Sequence, residues 1–367
     1  MGKKIVIWIV IIFLLIGCEN NLKSSVKKEL KNVLQEIIDT EIGNEVPGIQ
    51  ISVKTTDFGV ISLASGLANI NENEKMTINH NLRIASATKL FTATVIMKMV
   101  EDEIISLNDT LNKLLPQFNF PEANNITLKH LLHHTSGFWG YFNNNDNFQE
   151  YVFDHPIEYY EPAELIDKAI NLHLPIKEDI GSKFFYCNTN YVLLGMIIEK
   201  YSNLSYEENI GRTISTPFNL SSTSVVNDLS EVDDMSEGYI YIEEVPIKGN
   251  QYNHSFLFAA GNIISKTSDL VLFIDQLMNN NILNEDIVDE MKTFFIDDDG
   301  NQYGLGLANF KDLGIGHNGL TLGYTSIVVY NELHDISIAV LMNCLSASGN
   351  PEVIARKILQ SIIDLEN

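Results

Sequence analysis

Leu82-Arg83-Ile84-Ala85-Ser86-Ala87-Thr88-Lys89-Leu90-Phe91-Thr92-Ala93 sets a serine and a lysine three residues apart, where a helical pattern running from Ser86 to about Glu101 begins. At that spacing both side chains lie on one helix face, so the amine reaches the hydroxyl. A serine at a helix N-terminus also meets the positive end of the dipole, with a backbone N–H free to bind a developing oxyanion. The pair alone is a weak signal. A helix cap followed by a solvated lysine has the same spelling, and Ser24 and Ser25 repeat the spacing without companions. What decides is the rest of the chain.

Before this stretch, Leu22, Val26, Leu30, Val33, Leu34, Ile37 and Ile38 recur at helical steps and predict a helix over 19–42. Ile49, Ile51 and Val53 then alternate as in a strand, Val60–Leu67 is its partner, and Asp57-Phe58-Gly59 is the turn. Residues 104–250 are rich in Asn, aromatics and Pro, with helical patterns at 127–134, 162–172 and 189–201 and an Asn-rich loop at 143–147. Alternation returns at Tyr324–Asn331 and Ile336–Met342, and Ile354, Ile358, Ile362 and Leu365 close the chain with a helix. The pattern predicts an α+β fold: an antiparallel sheet flanked by terminal helices (18–103 and 251–367), interrupted by a mainly helical insertion (104–250).

Twenty-four Lys+Arg against 48 Asp+Glu give a net charge of −24, which argues against nucleic-acid partners. Lys3 and Lys4 precede an apolar run from Ile5 to Ile16, ending Leu15-Ile16-Gly17-Cys18. Charge, run length and the small residue before the cysteine read as a lipoprotein signal over 1–17. Cys18 is then the lipidation site and the protein is held outside the cytoplasm on a bacterial membrane by its acyl chains. Losing two lysines and no acid takes the charge to −26. Cys187 and Cys344 remain, too few for a disulfide scaffold, and their pairing is left open.

No Gly-x-Ser-x-Gly, Walker-type loop or His-Glu-x-x-His occurs. His133-His134 does not read as a metal pair, because adjacent helical residues face different ways. Tyr303-Gly304-Leu305-Gly306-Leu307 reads as a strand approaching the sheet, since no helix follows to cradle phosphate. Phe138–Phe142 is an aromatic loop at the candidate mouth.

The Ser86 stretch resembles the nucleophile segment of the serine β-lactamase and D-Ala-D-Ala peptidase superfamily, most closely its class C β-lactamase, DD-carboxypeptidase and esterase branch. Four more elements carry the resemblance. They are Leu131-Leu132-His133-His134-Thr135-Ser136-Gly137; Tyr186-Cys187-Asn188 with its flanks; Ala259-Ala260-Gly261-Asn262 leading to Ser268-Asp269-Leu270; and Gly316-His317-Asn318-Gly319. Tyr186 follows Ser86 by 100 residues and His317 follows Tyr186 by 131. The resemblance covers roughly 30–365 and implies a serine hydrolase with no cofactor and no metal.

On that resemblance, Ser86 is the nucleophile, with Lys89 and Tyr186 both candidates for the base and sharing the proton. Asn188 binds Lys89 and the substrate amide. Leu320 and Ser86 supply the oxyanion N–H groups, Gly319 belongs to the third motif, and His317 stands where that motif usually has lysine, polarising Tyr186 or the far end of the substrate. Two departures stand out: Asn318 replaces a Thr or Ser whose hydroxyl helps hold a substrate carboxylate, and Cys187 replaces Ser. The expected substrates are small esters, amides or D-amino-acid peptides. A class C type β-lactamase, a DD-carboxypeptidase and a penicillin-binding sensor without turnover are the alternatives.

Overall fold

The structure, a computed structural model, describes residues 23–366 apart from 44, 119–121, 173–174, 176–177, 227–228, 230–231 and 243–244. Cys18 and its signal lie outside the described residues. Among the described residues no helix is long and apolar enough to cross a membrane.

Nine strands form one antiparallel sheet. The N-terminal third of the chain supplies β1 (Gly48–Thr55), β2 (Gly59–Asn69) and β3 (Glu74–Lys75). The C-terminal part supplies β4 (Phe295–Ile296), β5 (Gln302–Tyr303), β6 (Ala308–Phe310), β7 (Gly314–Thr321), β8 (Tyr324–Asn331) and β9 (Ile336–Met342). Their order is β3-β2-β1-β9-β8-β7-β6-β5-β4, so the two ends of the chain meet at the middle, with Ile51 opposite Val340.

Period-two alternation sends Ile49, Ile51, Val53, Ile338, Val340 and Met342 to one face. There they pack against α1 (23–41) through Leu30, Leu34 and Ile38, and against α5 (Pro351–Glu366) through Ile354, Ile358 and Ile362. Gln50 and Ser52 take the other face and serve α4 (Thr267–Met278). Gln50 Oε1 accepts from the Thr267 backbone N–H at 2.7 Å, so a strand side chain satisfies a donor at the start of that helix.

Between sheet and insertion runs α2 (Thr88–Glu101), buried on every side from Thr88 to Met97. It packs against α3 (Asn188–Ser202), whose residues from Asn188 to Gly195 are likewise all buried. A helix apolar all round belongs inside a protein, and these two are its centre.

Three local expectations differ from what forms. Ser86 sits in a 3₁₀ turn, Ala85–Ala87, and the α-helix proper begins at Thr88. Tyr303–Leu307 is not one strand: β5 ends at Tyr303 and the chain turns through Gly306, at φ +81°, into β6. The Asn-rich loop ends early, because Asn145 Oδ1 accepts from the Phe148 N–H and starts a helix at Asp146–Asp154. The segment 104–250 also contributes short strands, Ser224–Val225, Tyr239–Ile242 and Val245–Lys248, too brief to show alternation. Cys187 and Cys344 are both buried free thiols.

Candidate active site

The turn carrying Ser86 is held by three hydrogen bonds, two with Ile263 and one with Ser326. The Ile84 N–H donates to Ile263 O at 3.0 Å, the Thr88 hydroxyl accepts from the Ile263 N–H at 3.2 Å, and Ser326 Oγ of β8 donates to Ile84 O at 2.6 Å. Ala85 adopts φ +50°, a left-handed conformation costly for a residue with a Cβ. β7 lies directly on this turn. A Cβ on Gly319 would fall 2.3 Å from Ile84 O and 2.9 Å from Ser86 N, so only glycine permits the approach.

Lys89, one helical turn on, is completely buried. Its Nζ lies 3.0 Å from Ser86 Oγ, 2.9 Å from Asn188 Oδ1 and 2.8 Å from Ala260 O. Burial lowers its pKa to about 7, since no carboxylate compensates the desolvation of the charge. An amine poised between its two protonation states at neutral pH is suited to take a proton from a serine hydroxyl.

The Tyr186 residue is half-buried, and desolvation of its phenol raises its pKa above the ordinary value despite a hydrogen bond with Ser86. Its ring centroid is 5.0 Å from Lys89 Nζ. In the resting protein Tyr186 therefore carries its proton, while Lys89 is the readier acceptor.

His317 Nδ1 is 2.5 Å from the Asn318 carbonyl, which only accepts, so that nitrogen carries the proton. Nε2 then accepts from the Tyr303 hydroxyl at 2.9 Å. Burial and the Lys89 charge lower the pKa of His317 to about 3, keeping the ring neutral. With both nitrogens engaged, and its ring centroid 6.2 Å from that of Tyr186, His317 acts on Tyr186 at most through packing. Of the two roles expected for it, this geometry bears only on the one toward Tyr186, not on the one toward the far end of the substrate. The Tyr303 contact was invisible in the sequence, where Tyr303 was one residue of a glycine-rich strand.

In an antiparallel hairpin closed by the Thr321–Tyr324 pair, alternation points the Leu320 N–H away from β8, toward the open edge of β7. β6 pairs only with Gly314–Gly316, so that edge is free of β6 beyond Gly316. Ser86 offers the other N–H from the 3₁₀ turn that precedes α2.

A cavity of about 390 Å³ opens here, and Ser86, Asn188 and Leu320 are among the residues lining it. Phe142, Phe153, Phe256, Leu257, Leu322 and Leu345 form apolar walls; Asn143, Gln149 and Thr321 are its further polar residues. Among the described residues none that lines it is charged. Of the aromatic loop, Phe142 reaches the cavity whereas Phe138 and Tyr141 are core. Gln149, Phe153 and Phe256 carried no sequence signal, because their place in the cavity depends on how distant segments pack over β7.

His133 and His134 diverge as expected of neighbours. His133 Nε2 donates to Thr293 O at 2.6 Å, while His134 turns inward beneath Tyr186 and its Nδ1 accepts from the Cys187 N–H at 3.2 Å.

The family model described as Beta-lactamase matches residues 33–361. Penicillin-binding protein 4* of Bacillus subtilis (strain 168) is 27% identical over 299 residues, covering 76% of this chain and 64% of its own length. The chain thus spans slightly less than two thirds of that relative. A D-stereospecific amidohydrolase from Streptomyces sp. superposes with TM-score 0.79 at 26% identity, covering 90% of this chain and 97% of that one. D-amino acid amidase from Ochrobactrum anthropi SV3, complexed with L-phenylalanine amide, gives TM-score 0.79 at 22% identity over 92% and 100%, a likeness of fold.

Proposed function

The chain belongs to the beta-lactamase family, and from that premise we propose that it is a serine hydrolase acting through an acyl-enzyme on Ser86. The observation that carries this reading is the buried Lys89 amine 3.0 Å from Ser86 Oγ, with its pKa lowered to about 7. In the proposed reaction neutral Lys89 takes the Ser86 proton as Oγ attacks the carbonyl. The oxyanion rests on the N–H groups of Ser86 and Leu320. Tyr186 gives its proton to the leaving amine or alcohol and is reprotonated from Lys89. Water then adds to the acyl carbonyl, its proton passing to the same pair and on to Ser86 Oγ as the acyl–oxygen bond breaks, which releases the carboxylic acid and regenerates Ser86. Asn188 holds Lys89 through Oδ1, leaving its Nδ2 to donate.

The substrates we propose are small esters and amides without a carboxylate beside the scissile bond. A β-lactam or a D-Ala-D-Ala terminus brings a carboxylate that Arg or Lys normally holds. Here, among the described residues, the cavity lining has neither, His317 is neutral, and Asn318 has no hydroxyl. The amidohydrolase relative supports an amide-cleaving role. The same reading places the protein outside the cytoplasm on a diacylglycerol at Cys18, supported by Lys3, Lys4, the run Ile5–Ile16 and Gly17-Cys18.

A fluorophosphonate probe tests the nucleophile. Wild type should be labelled on Ser86, and Ser86→Ala should lose both the label and aryl-ester turnover by several orders of magnitude. Labelling that persists in Ser86→Ala overturns the assignment. Cephalosporin turnover faster than that of simple esters overturns the substrate part.

A further inference from the structure

Tyr186 stands on a stretch with no hydrogen-bond ladder of its own. Residues 184–187 belong to neither helix nor strand, and α3 begins only at Asn188. The backbone there is placed by individual hydrogen bonds. Two of them flank the tyrosine and end on one residue. The Phe185 N–H donates to the His134 carbonyl at 2.8 Å, and the Cys187 N–H donates to His134 Nδ1 at 3.2 Å. His134 follows the helix Leu128–Leu132 at φ +59°, a left-handed conformation that His and Asn adopt more readily than most residues. With that turn, the carbonyl and the ring of a single residue meet the same stretch. Upstream, the Gly181 N–H donates to the carbonyl of the next residue, Thr135, at 2.7 Å.

The ring's tautomer follows from its partners. A backbone N–H only donates, so Nδ1 is bare and Nε2 carries the proton. Asn190 agrees with this. Ser136 Oγ accepts from the Phe138 N–H at 3.3 Å and donates to Asn190 Oδ1 at 2.6 Å, which leaves Asn190 Nδ2 facing His134 Nδ1 at 3.2 Å. Nδ1 of a wholly buried side chain therefore takes two N–H groups, while Nε2 has no hydrogen-bond partner among the described residues. An apolar side chain would fill the same space without stranding a donor. Packing alone does not account for a histidine here; the acceptor at Nδ1 does.

Resting on the acyl-enzyme reading above, we propose that His134 is a positioning residue for Tyr186: by accepting the N–H groups on both sides of it, His134 holds the phenol where it can pass its proton to the leaving group. His134 touches neither substrate nor Ser86 and acts through Tyr186 alone. Its loss should therefore be felt most where the leaving group needs a proton. p-Nitrophenolate departs with little help from an acid, whereas the more basic phenolate gains from one.

The test compares kcat/KM on p-nitrophenyl butyrate and phenyl butyrate, counted per Ser86 labelled by a fluorophosphonate. His134→Phe keeps a ring and loses the acceptor. It should fall about a hundredfold on the phenyl ester, the scale of a misplacement of about 1 Å, and at most about tenfold on the p-nitrophenyl ester. His134→Asn sets Oδ1 as many bonds from the backbone as Nδ1 and suits the positive φ, so it should keep the wild-type ratio of the two esters. Tyr186→Phe is the reference and should shift that ratio in the same direction as His134→Phe, and further. Equal losses on the two esters in His134→Phe overturn the positioning role. So does a ratio in His134→Asn shifted as far as in Tyr186→Phe, and this second variant decides the matter where His134→Phe does not fold. Either result leaves the hydrolase reading standing so long as wild-type Ser86 is labelled and turns over ester. A wild type with neither label nor turnover overturns both.

Discussion

The Tyr303 hydroxyl donates to Nε2 of His317 at 2.9 Å, joining β5 to the third motif on β7. With Nδ1 holding its proton on the Asn318 carbonyl, the contact engages the remaining nitrogen and accounts for a motif residue that brings no charge to the site. Nitrogen NMR of labelled protein should find Nδ1 protonated and Nε2 bare throughout pH 5–8. An imidazolium in that range would contradict the arrangement. Tyr303→Phe strands a buried acceptor and should cost about 1–3 kcal/mol of unfolding free energy.

Lys89 gives the protein two linked pH dependences. Its pKa is about 7 when folded against 10.5 as the ordinary value. For catalysis, kcat/KM should rise through a limb near pH 7 as the amine loses its proton. For stability, the sign follows from the same numbers. Below pH 7 both states hold the proton and the burial penalty is present in full. Between 7 and 10.5 the folded state sheds it first, so stability gains with pH. Relative to Lys89→Met, wild type should therefore gain about 1.4 kcal/mol per pH unit over that window. A difference that stays flat from pH 7 to 10 would refute the lowered pKa.

Gly319→Ala puts a methyl where Ile84 O and Ser86 N already lie. The nucleophile turn must shift, and a misplacement of about 1 Å costs roughly a hundredfold in rate. We expect kcat to fall on that scale for every substrate, with Ser86 still labelled slowly. Unchanged kcat would mean that the turn and β7 are not in register as described.

Cys18→Ser should abolish uptake of labelled lipid and either release the protein from membranes or leave its precursor uncut. Wild-type protein cleaved elsewhere and carrying no lipid would end the lipobox proposal.

The sequence by itself determined what is local or periodic. Ser86 and Lys89 are three residues apart, and the 3₁₀ turn running into α2 brings the two side chains together at that spacing. The terminal strands and helices were readable because one apolar face of each repeats at a fixed step, as in Ile49, Ile51 and Val53 or Ile354, Ile358 and Ile362. Tyr186, Asn188 and His317 were found through the resemblance of their motifs, not through any local rule. Only the tertiary structure decided the rest. The Ala260 carbonyl that holds Lys89 is 171 residues away; its motif was legible through the resemblance, but its bond to Lys89 was not. Tyr303 and Gln149 have unremarkable neighbours in the chain; the first meets His317 because β5 to β7 are adjacent, and the second reaches the cavity because Asn145 starts its helix there. Above all, the Lys89 pKa is lowered by desolvation. Desolvation belongs to the packed surroundings of α2 and α3, which exist only once the chain has folded.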